Sequence, residues 1–221
     1  MDNLFQNVDW DKMLVATQDT LYMAAVATLA TFVLGLILGL VLFLTSKDNL
    51  WENKPVNVVI GAFVNIFRSI PFIILIILLL PFTKFFVGTI LGASAALPAL
   101  IIGAAPFYAR LVEIALREID KGVIEASKAM GAKTSTIIFK VLIPESLPAL
   151  VSGITVTAIA LVGYTAMAGA VGAGGLGTLA YLDGFQRGNS DVTLMATILV
   201  LVIVFIIQVF GDFFTKRLDK R

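Results

Sequence analysis

Four stretches of this chain run on without a single charged side chain: residues 20–46, 85–109, 146–182 and 192–211. The first holds the apolar centre "LYMAAVATLATFVLGLILGLVLFL". About 20 apolar helical residues cross the hydrocarbon core of a bilayer. Each run is that long, and apolar residues follow one another instead of alternating. Continuous runs favour membrane-spanning helices over the shorter, alternating strands of a closed barrel. Only 14% of the residues are charged and 59% are apolar, against about 25% charged in a soluble domain. The expected fold is therefore all-α and polytopic.

The run 146–182 exceeds one perpendicular helix, so it is read as one span followed by a Gly-rich external segment. A fifth crossing falls in residues 56–83, where Arg68 separates "VNVVIGAFVNIF" from "SIPFIILIILLLPFT". This is either one helix kinked at Pro71, or an interfacial helix to Ser69 followed by a span from about Ile70. A charge at the bilayer centre costs at least ~2.5–3.5 kcal/mol unless it snorkels or finds a partner. That places Arg68 near the cytosolic surface, where a snorkelling anchor is as good a reading as a functional charge.

Five crossings set the termini on opposite sides. With the N-terminus outside, the inner segments carry Lys47, Lys54, Arg110, Arg117, Lys121, Lys128, Lys133, Lys140, Lys216, Arg217, Lys220 and Arg221, while the outer ones carry Lys12, Lys84 and Arg187. Twelve against three follows the positive-inside rule. The expected division is an external tail over residues 1–19, a transmembrane domain over 20–215, and a basic cytosolic tail over 216–221. The acidic tail lacks a basic n-region and does not read as a cleaved signal.

With no cysteine and no histidine, disulfides, thiol nucleophiles, His/Cys zinc sites and the usual neutral-pH acid–base group are excluded. "VGAGGLG" contains G-x-G-x-x-G at Gly172, Gly174 and Gly177, with Gly175 between. No strand or βαβ pattern frames it, which speaks against a dinucleotide-binding oxidoreductase. The absence of ionisable residues from the first, third and fifth spans speaks against an ion-coupled secondary transporter. No G-x-x-x-x-G-K-[ST] occurs, so any ATPase is another subunit.

The longest inner segment, about residues 110–145, reads "RLVEIALREIDKGVIEASKAMGAKTSTIIFKVLIPE". Val123, Ala126, Ala129 and Met130 make one apolar stripe at helical spacing. Gly131 fits the position just past a helix end, and Thr134 or Ser135 can cap a second short helix. Two alanines and no large aromatic make a weak lipid anchor, so the stripe suits a protein groove better than a membrane surface.

Glu125-Ala126-Ser127, then Gly131, then Val141-Leu142-Ile143-Pro144 nine residues later resembles the E-A-A-x₃-G-x₉-I-x-L-P loop of ABC-importer permeases, with conservative exchanges at three positions. "FRSIPFIILIILLLPFT", "APFYARLVEIALREIDKGVIEASKAMGA" and "GYTAMAGAVGAGGLG" narrow the resemblance to the permease subunit of methionine-uptake ABC importers. Related permeases for glycine betaine or phosphonates carry similar glycine strings.

The resemblance implies a multi-pass protein of a bacterial plasma membrane, not itself an enzyme. It implies a second copy of the chain, two copies of a cytosolic ATPase that carry ATP and Mg, and an extracytoplasmic substrate-binding protein. No cofactor is expected on this chain, and no nucleic-acid partner. It makes Glu125, Ala126, Ser127, Met130, Gly131 and Ala132 the ATPase-docking coupling helix. Tyr164 and Met167, large among Gly163, Ala166, Ala168, Gly169 and Ala170, are candidates for a gate. Gly172, Gly174, Gly175 and Gly177 are candidates for the external mouth, where glycine permits sharp turns.

Overall fold

The computed structural model describes residues 6–219 and contains no strand among them. Ten α-helices follow in order: α1 (Trp10–Thr45), α2 (Lys54–Ser69), α3 (Phe72–Leu78), α4 (Leu80–Val87), α5 (Ala93–Arg117), α6 (Lys121–Ala129), α7 (Thr134–Ile137), α8 (Ile143–Ala170), α9 (Gly175–Thr178) and α10 (Ser190–Leu218). Two wider π-helical segments, Ile138–Leu142 and Leu179–Gln186, join α7 to α8 and extend α9.

Four unbroken helical runs are long and apolar enough to cross a membrane: α1, α5, the continuous stretch Thr134–Ala170, and α10. Where the fifth crossing is expected, α2 and α3 form a pair bent by 106°, the geometry of a broken span or a re-entrant loop. Of the two readings of residues 56–83, one continuous helix kinked at Pro71 is not what forms: α2 ends at Ser69 and α3 restarts at Phe72. Ile70 and Pro71 are extended, because the residue before a proline is pushed out of the helical region.

Several boundaries differ from the hydropathy expectation. The first span begins at Trp10, well inside the expected tail. Asp9 caps it, its carboxylate accepting from the Lys12 N–H at 3.1 Å, and that bond holds the Asp9 carboxyl below its ordinary value. Met13, Ala16 and Thr20 continue the buried stripe of α1 outward, so Asp11, Lys12 and Asp19 ride on the other faces without ending the helix. At 36 residues, α1 is about 54 Å long and must project beyond a ~30 Å hydrocarbon core. The third span starts at Ala93 instead of 85, because Phe85–Val87 close α4, and it runs on to Arg117. Lys216 and Arg217 lie in the last turn of α10; Lys220 and Arg221 lie outside the described residues.

Packing centres on α1 and α5, which share the most extensive contact in the molecule. Lipid tails are as apolar as leucine, so helices in a bilayer associate through close van der Waals fit. Gly35 and Gly39 supply that fit from α1. A Cβ on Gly35 would lie 2.7 Å from Tyr108 Cδ1, and one on Gly39 would lie 2.5 Å from Val112 Cβ and 2.6 Å from the Ala109 carbonyl oxygen. Tyr108, fully buried, reaches past α1 and donates its hydroxyl to the Leu150 carbonyl of α8 at 3.2 Å. One side chain thereby ties α1, α5 and α8 together. Thr17, Thr45, Thr155 and Thr157 turn their hydroxyls onto carbonyls four residues back, which satisfies those donors where no water is at hand; the buried Thr31 hydroxyl of α1 has no such partner.

The core at one end of the bundle includes Phe43 and Leu44 of α1, Val112 and Leu116 of α5, Ile124 of α6, Ile137 of α7 and Leu150 of α8. The 110–145 segment is thus packed onto three spans instead of hanging free.

Replacing Gly39 by leucine should destabilise the fold by about 1–3 kcal/mol or more, since Ala109 backbone cannot give way as a side chain can. The thermal midpoint of the detergent-purified protein measures this. A fall of several degrees is expected, and an unchanged midpoint would contradict the seam.

Candidate functional site

Helix α6 is built to stand out from the bundle. Asp120 caps its start, accepting from the Gly122 N–H at 2.6 Å. Its end is a Schellman turn: the Gly131 N–H donates to the Lys128 carbonyl at 2.9 Å, and the Ala132 N–H to Ser127 at 3.1 Å. Gly131 sits at φ 77°, the left-handed conformation that only glycine adopts at little cost. The stop expected from sequence is therefore present. The expected second cap is not: α7 starts behind Lys133, without a side-chain cap, and neither Thr134 nor Ser135 serves.

Ile124 and Ser127 face inward from α6, and Ser127 spends its hydroxyl on the Val123 carbonyl at 2.7 Å. Val123, Glu125, Ala126, Ala129, Met130 and Gly131 are exposed, Met130 to 81%. Ala132 is half-buried against the core below. The expected docking set thus divides. Glu125, Ala126, Met130 and Gly131 are free to meet a partner, whereas Ser127 and Ala132 hold the helix to its own domain. The stripe Val123, Ala126, Ala129 and Met130 points away from the bundle.

At the foot of α5 lies a group the sequence reading passed over. Glu113, 3% exposed, accepts from Arg110 at 2.6 Å and from Arg117 at 2.7 Å. Arginines at i−3 and i+4 on one helix face were the available signal. The pair of guanidiniums neutralises the buried carboxylate where α5 turns toward α6.

On α8, Ala149, Ser152, Val156, Gly163, Met167 and Ala170 form a line of exposed residues. Met167, 48% exposed, is its largest member in the C-terminal half of α8. Tyr164 is placed differently. It is half-buried and stacks on Phe72 of α3, ring centroids 4.5 Å apart and planes within 4°. The two gate candidates therefore do not share a face.

Tyr164 instead lines a cavity of about 250 Å³ with Phe67, Arg68, Ile70, Phe72, Leu75, Gly103 and Phe107. Gly103 and Phe107 belong to the middle turns of α5. Arg68, exposed on the described chain, thus lies level with the middle turns of α5 and not with its Arg110–Arg117 end, deeper than the sequence reading placed it. The penalty that argued otherwise assumes lipid around the charge; here Arg68 borders a cavity beside the 106° bend.

The glycines of "VGAGGLG" are packed. Gly177 presses its backbone onto Ala166 of α8, and Gly169 lies so close to Gly177 and Thr178 that a Cβ there would come within 2.5 Å of the Thr178 nitrogen. Thr20 of α1 accepts from the Leu176 N–H at 2.9 Å, and the Gly92 N–H donates to the Gly172 carbonyl at 2.9 Å. Gly174 and Gly175, with Asp11, Lys12, Asp19 and Thr178, edge an open cleft of about 380 Å³. Residues 182–186 are helical, and Asp183 pairs with Arg187 at 2.5 Å.

The model of the "binding-protein-dependent transport system inner membrane component" family matches residues 31–221. The chain belongs to that family. It is a multi-pass membrane component of a transport system. It is 70% identical over 220 residues to the methionine import system permease protein MetP of Bacillus subtilis, covering 100% of this chain and 99% of the relative. It is 49% identical over 212 residues to a probable D-methionine transport system permease protein MetI of Pasteurella multocida, covering 96% and 98%. Among solved structures, a chain of the inward-facing MetNI methionine ABC transporter superposes with a TM-score of 0.92 at 45% identity, covering 95% of this chain and 97% of that one.

The two glycine types respond differently to a methyl group. Gly131→Ala meets nothing within 4 Å and should cost only the ~1–2 kcal/mol of left-handed strain. Gly177→Ala drives a Cβ into the Ala166 backbone and should lower the thermal midpoint by more. Equal losses would mean that Gly177 does not form the close approach described.

Proposed function

We propose that this chain is the translocation subunit of an ATP-driven importer of methionine, with D-methionine or close analogues also carried. The observation that carries the reading is the 70% identity to a methionine import permease over the whole of both chains. The chain works as a homodimer, with two copies of a cytosolic ATPase that bind ATP and Mg, and with an extracytoplasmic substrate-binding protein. The chain itself hydrolyses nothing.

The N-terminus lies outside and the C-terminus inside, supported by the excess of Lys and Arg on the segments then cytosolic. In that orientation α6 is on the ATPase side. Glu125, Ala126, Met130 and Gly131 enter a groove of the ATPase, while Ser127 and Ala132 pass its displacement to the bundle. ATP binding brings the two ATPases together and carries both α6 helices inward. The spans then tilt as rigid bodies between inward- and outward-open states.

Met167, on the exposed line of α8, narrows the path where two copies meet. Tyr164 supports it indirectly through α3. Gly172, Gly174, Gly175 and Gly177 hold the external mouth together by close backbone packing.

Two measurements on the complex reconstituted in proteoliposomes test this. Uptake of labelled methionine should be suppressed by excess methionine and unaffected by glycine betaine; suppression by betaine alone would assign a different solute. Gly131→Pro cannot reach φ 77° and loses the N–H that closes the Schellman turn. It should abolish binding-protein-stimulated ATP hydrolysis while the protein still inserts in the membrane. Unimpaired transport in that variant would refute α6 as the coupling element.

A further inference from the structure

We propose that Arg68 and the cavity it lines form a transit site for the carboxylate of the amino acid being carried, halfway across the membrane. This rests on the importer reading above, and it goes beyond that reading by naming the residue that recognises the cargo within the permease. The chemistry starts from the guanidinium. It sits at the last turn of α2, beside the middle turns of α5. Among the described residues Arg68 forms no ion pair; the four pairs found join Lys12, Arg110, Arg117 and Arg187 to other carboxylates. An ionisable side chain at mid-membrane normally faces the protein interior or a water-filled path, and marks the route of a substrate. Arg68, exposed on the described chain, is the one cation at the edge of a cavity otherwise lined by Phe67, Phe72, Phe107, Tyr164, Ile70, Leu75 and Gly103.

The chamber fits a small zwitterion with an apolar tail. The planar fork of arginine matches a carboxylate in two parallel hydrogen bonds. Aromatic faces attract an ammonium group, and four aromatic rings surround the space. Leu75 and Gly103 leave an apolar wall for the side chain. At about 250 Å³ the space falls just under the roughly 300–1,000 Å³ of pockets that enclose drug-sized ligands, so its occupant is small. Gly103 is kept small by its neighbours: a Cβ there would lie 3.2 Å from Leu75 and 3.3 Å from Phe72. The break at Ile70 and Pro71 serves the same end, since irregular backbone at membrane depth is tolerated where it lines a cavity.

The test uses the complete complex in proteoliposomes, with its ATPase and binding protein, and reads methionine moved per ATP hydrolysed. Arg68→Gln should lower that ratio at least tenfold while stimulated ATP hydrolysis stays within about twofold of the unmodified complex. Arg68→Lys, which keeps the charge and loses the fork, should restore the ratio to within about fivefold. An unchanged ratio in Arg68→Gln would overturn the proposal and leave Arg68 as an anchor. So would an Arg68→Lys complex that hydrolyses ATP normally and is as uncoupled as Arg68→Gln. Failure of the unmodified complex to move methionine at all would instead count against the importer reading, which separates the two claims.

Discussion

Two glycines decide how closely this molecule can be assembled. Gly35 and Gly39 bring the backbone of α1 against α5, with Tyr108, Val112 and the Ala109 carbonyl filling the space their side chains would occupy. In water, burial of apolar surface would hold two such helices together. In lipid that force is absent between helices, and close fit replaces it. The hydroxyl of Tyr108 then reaches Leu150, so α8 is fixed to the same seam. Every other placement follows from these three spans. The 110–145 segment packs on their shared end, the glycine turn packs on α8 and Thr20, and α2 lays Ile60 and Val64 against Leu38, Leu42 and Ala109.

That arrangement gives a mechanical account of coupling. In the coupling proposed above, a pull on α6 would enter the bundle through Ile124 and Ser127, pass to Leu116 and Val112 of α5 and to Ile137, and so reach α1 across the glycine seam. The Schellman turn at Gly131 keeps α6 a stiff, short lever. Glu113, held between Arg110 and Arg117, stiffens α5 where it meets that lever. A bundle packed at backbone contact moves as a body, and the softer break at Ile70–Pro71 lies away from this route, beside the cavity.

The sequence was most legible where one physical rule dominates. Uncharged length marked the spans, and Gly131 marked the end of α6 because a left-handed residue there has few alternatives. It was less legible where two rules compete. The start of α1 was obscured because Asp11, Lys12 and Asp19 lower hydropathy without opposing a helix capped by Asp9. Arg68 was placed near the cytosolic surface because a charge in lipid is costly, yet the cavity it borders is a tertiary feature. Ser127 could not be separated from Ala126, since which face of α6 turns inward depends on Ile124 and the helices beneath. The spacing of Gly35 and Gly39 was visible, but their meaning required knowing that Tyr108 and Val112 lie opposite.

In the proposed mechanism one chain moves as a rigid unit between the two states of the transporter. The chain has no cysteine, so spin labels can be placed at Met130 on α6 and at the exposed Phe185 near the other end, in a doubly labelled copy paired with an unlabelled one. Pulsed electron–electron distance measurement on the reconstituted complex, with and without ATP, should find the Met130–Phe185 distance within one chain unchanged. The Met130–Met130 distance between two singly labelled copies should shorten on ATP binding. A distance within the chain that shifts as much as the distance between copies would contradict rigid-body coupling through the α1–α5–α8 seam.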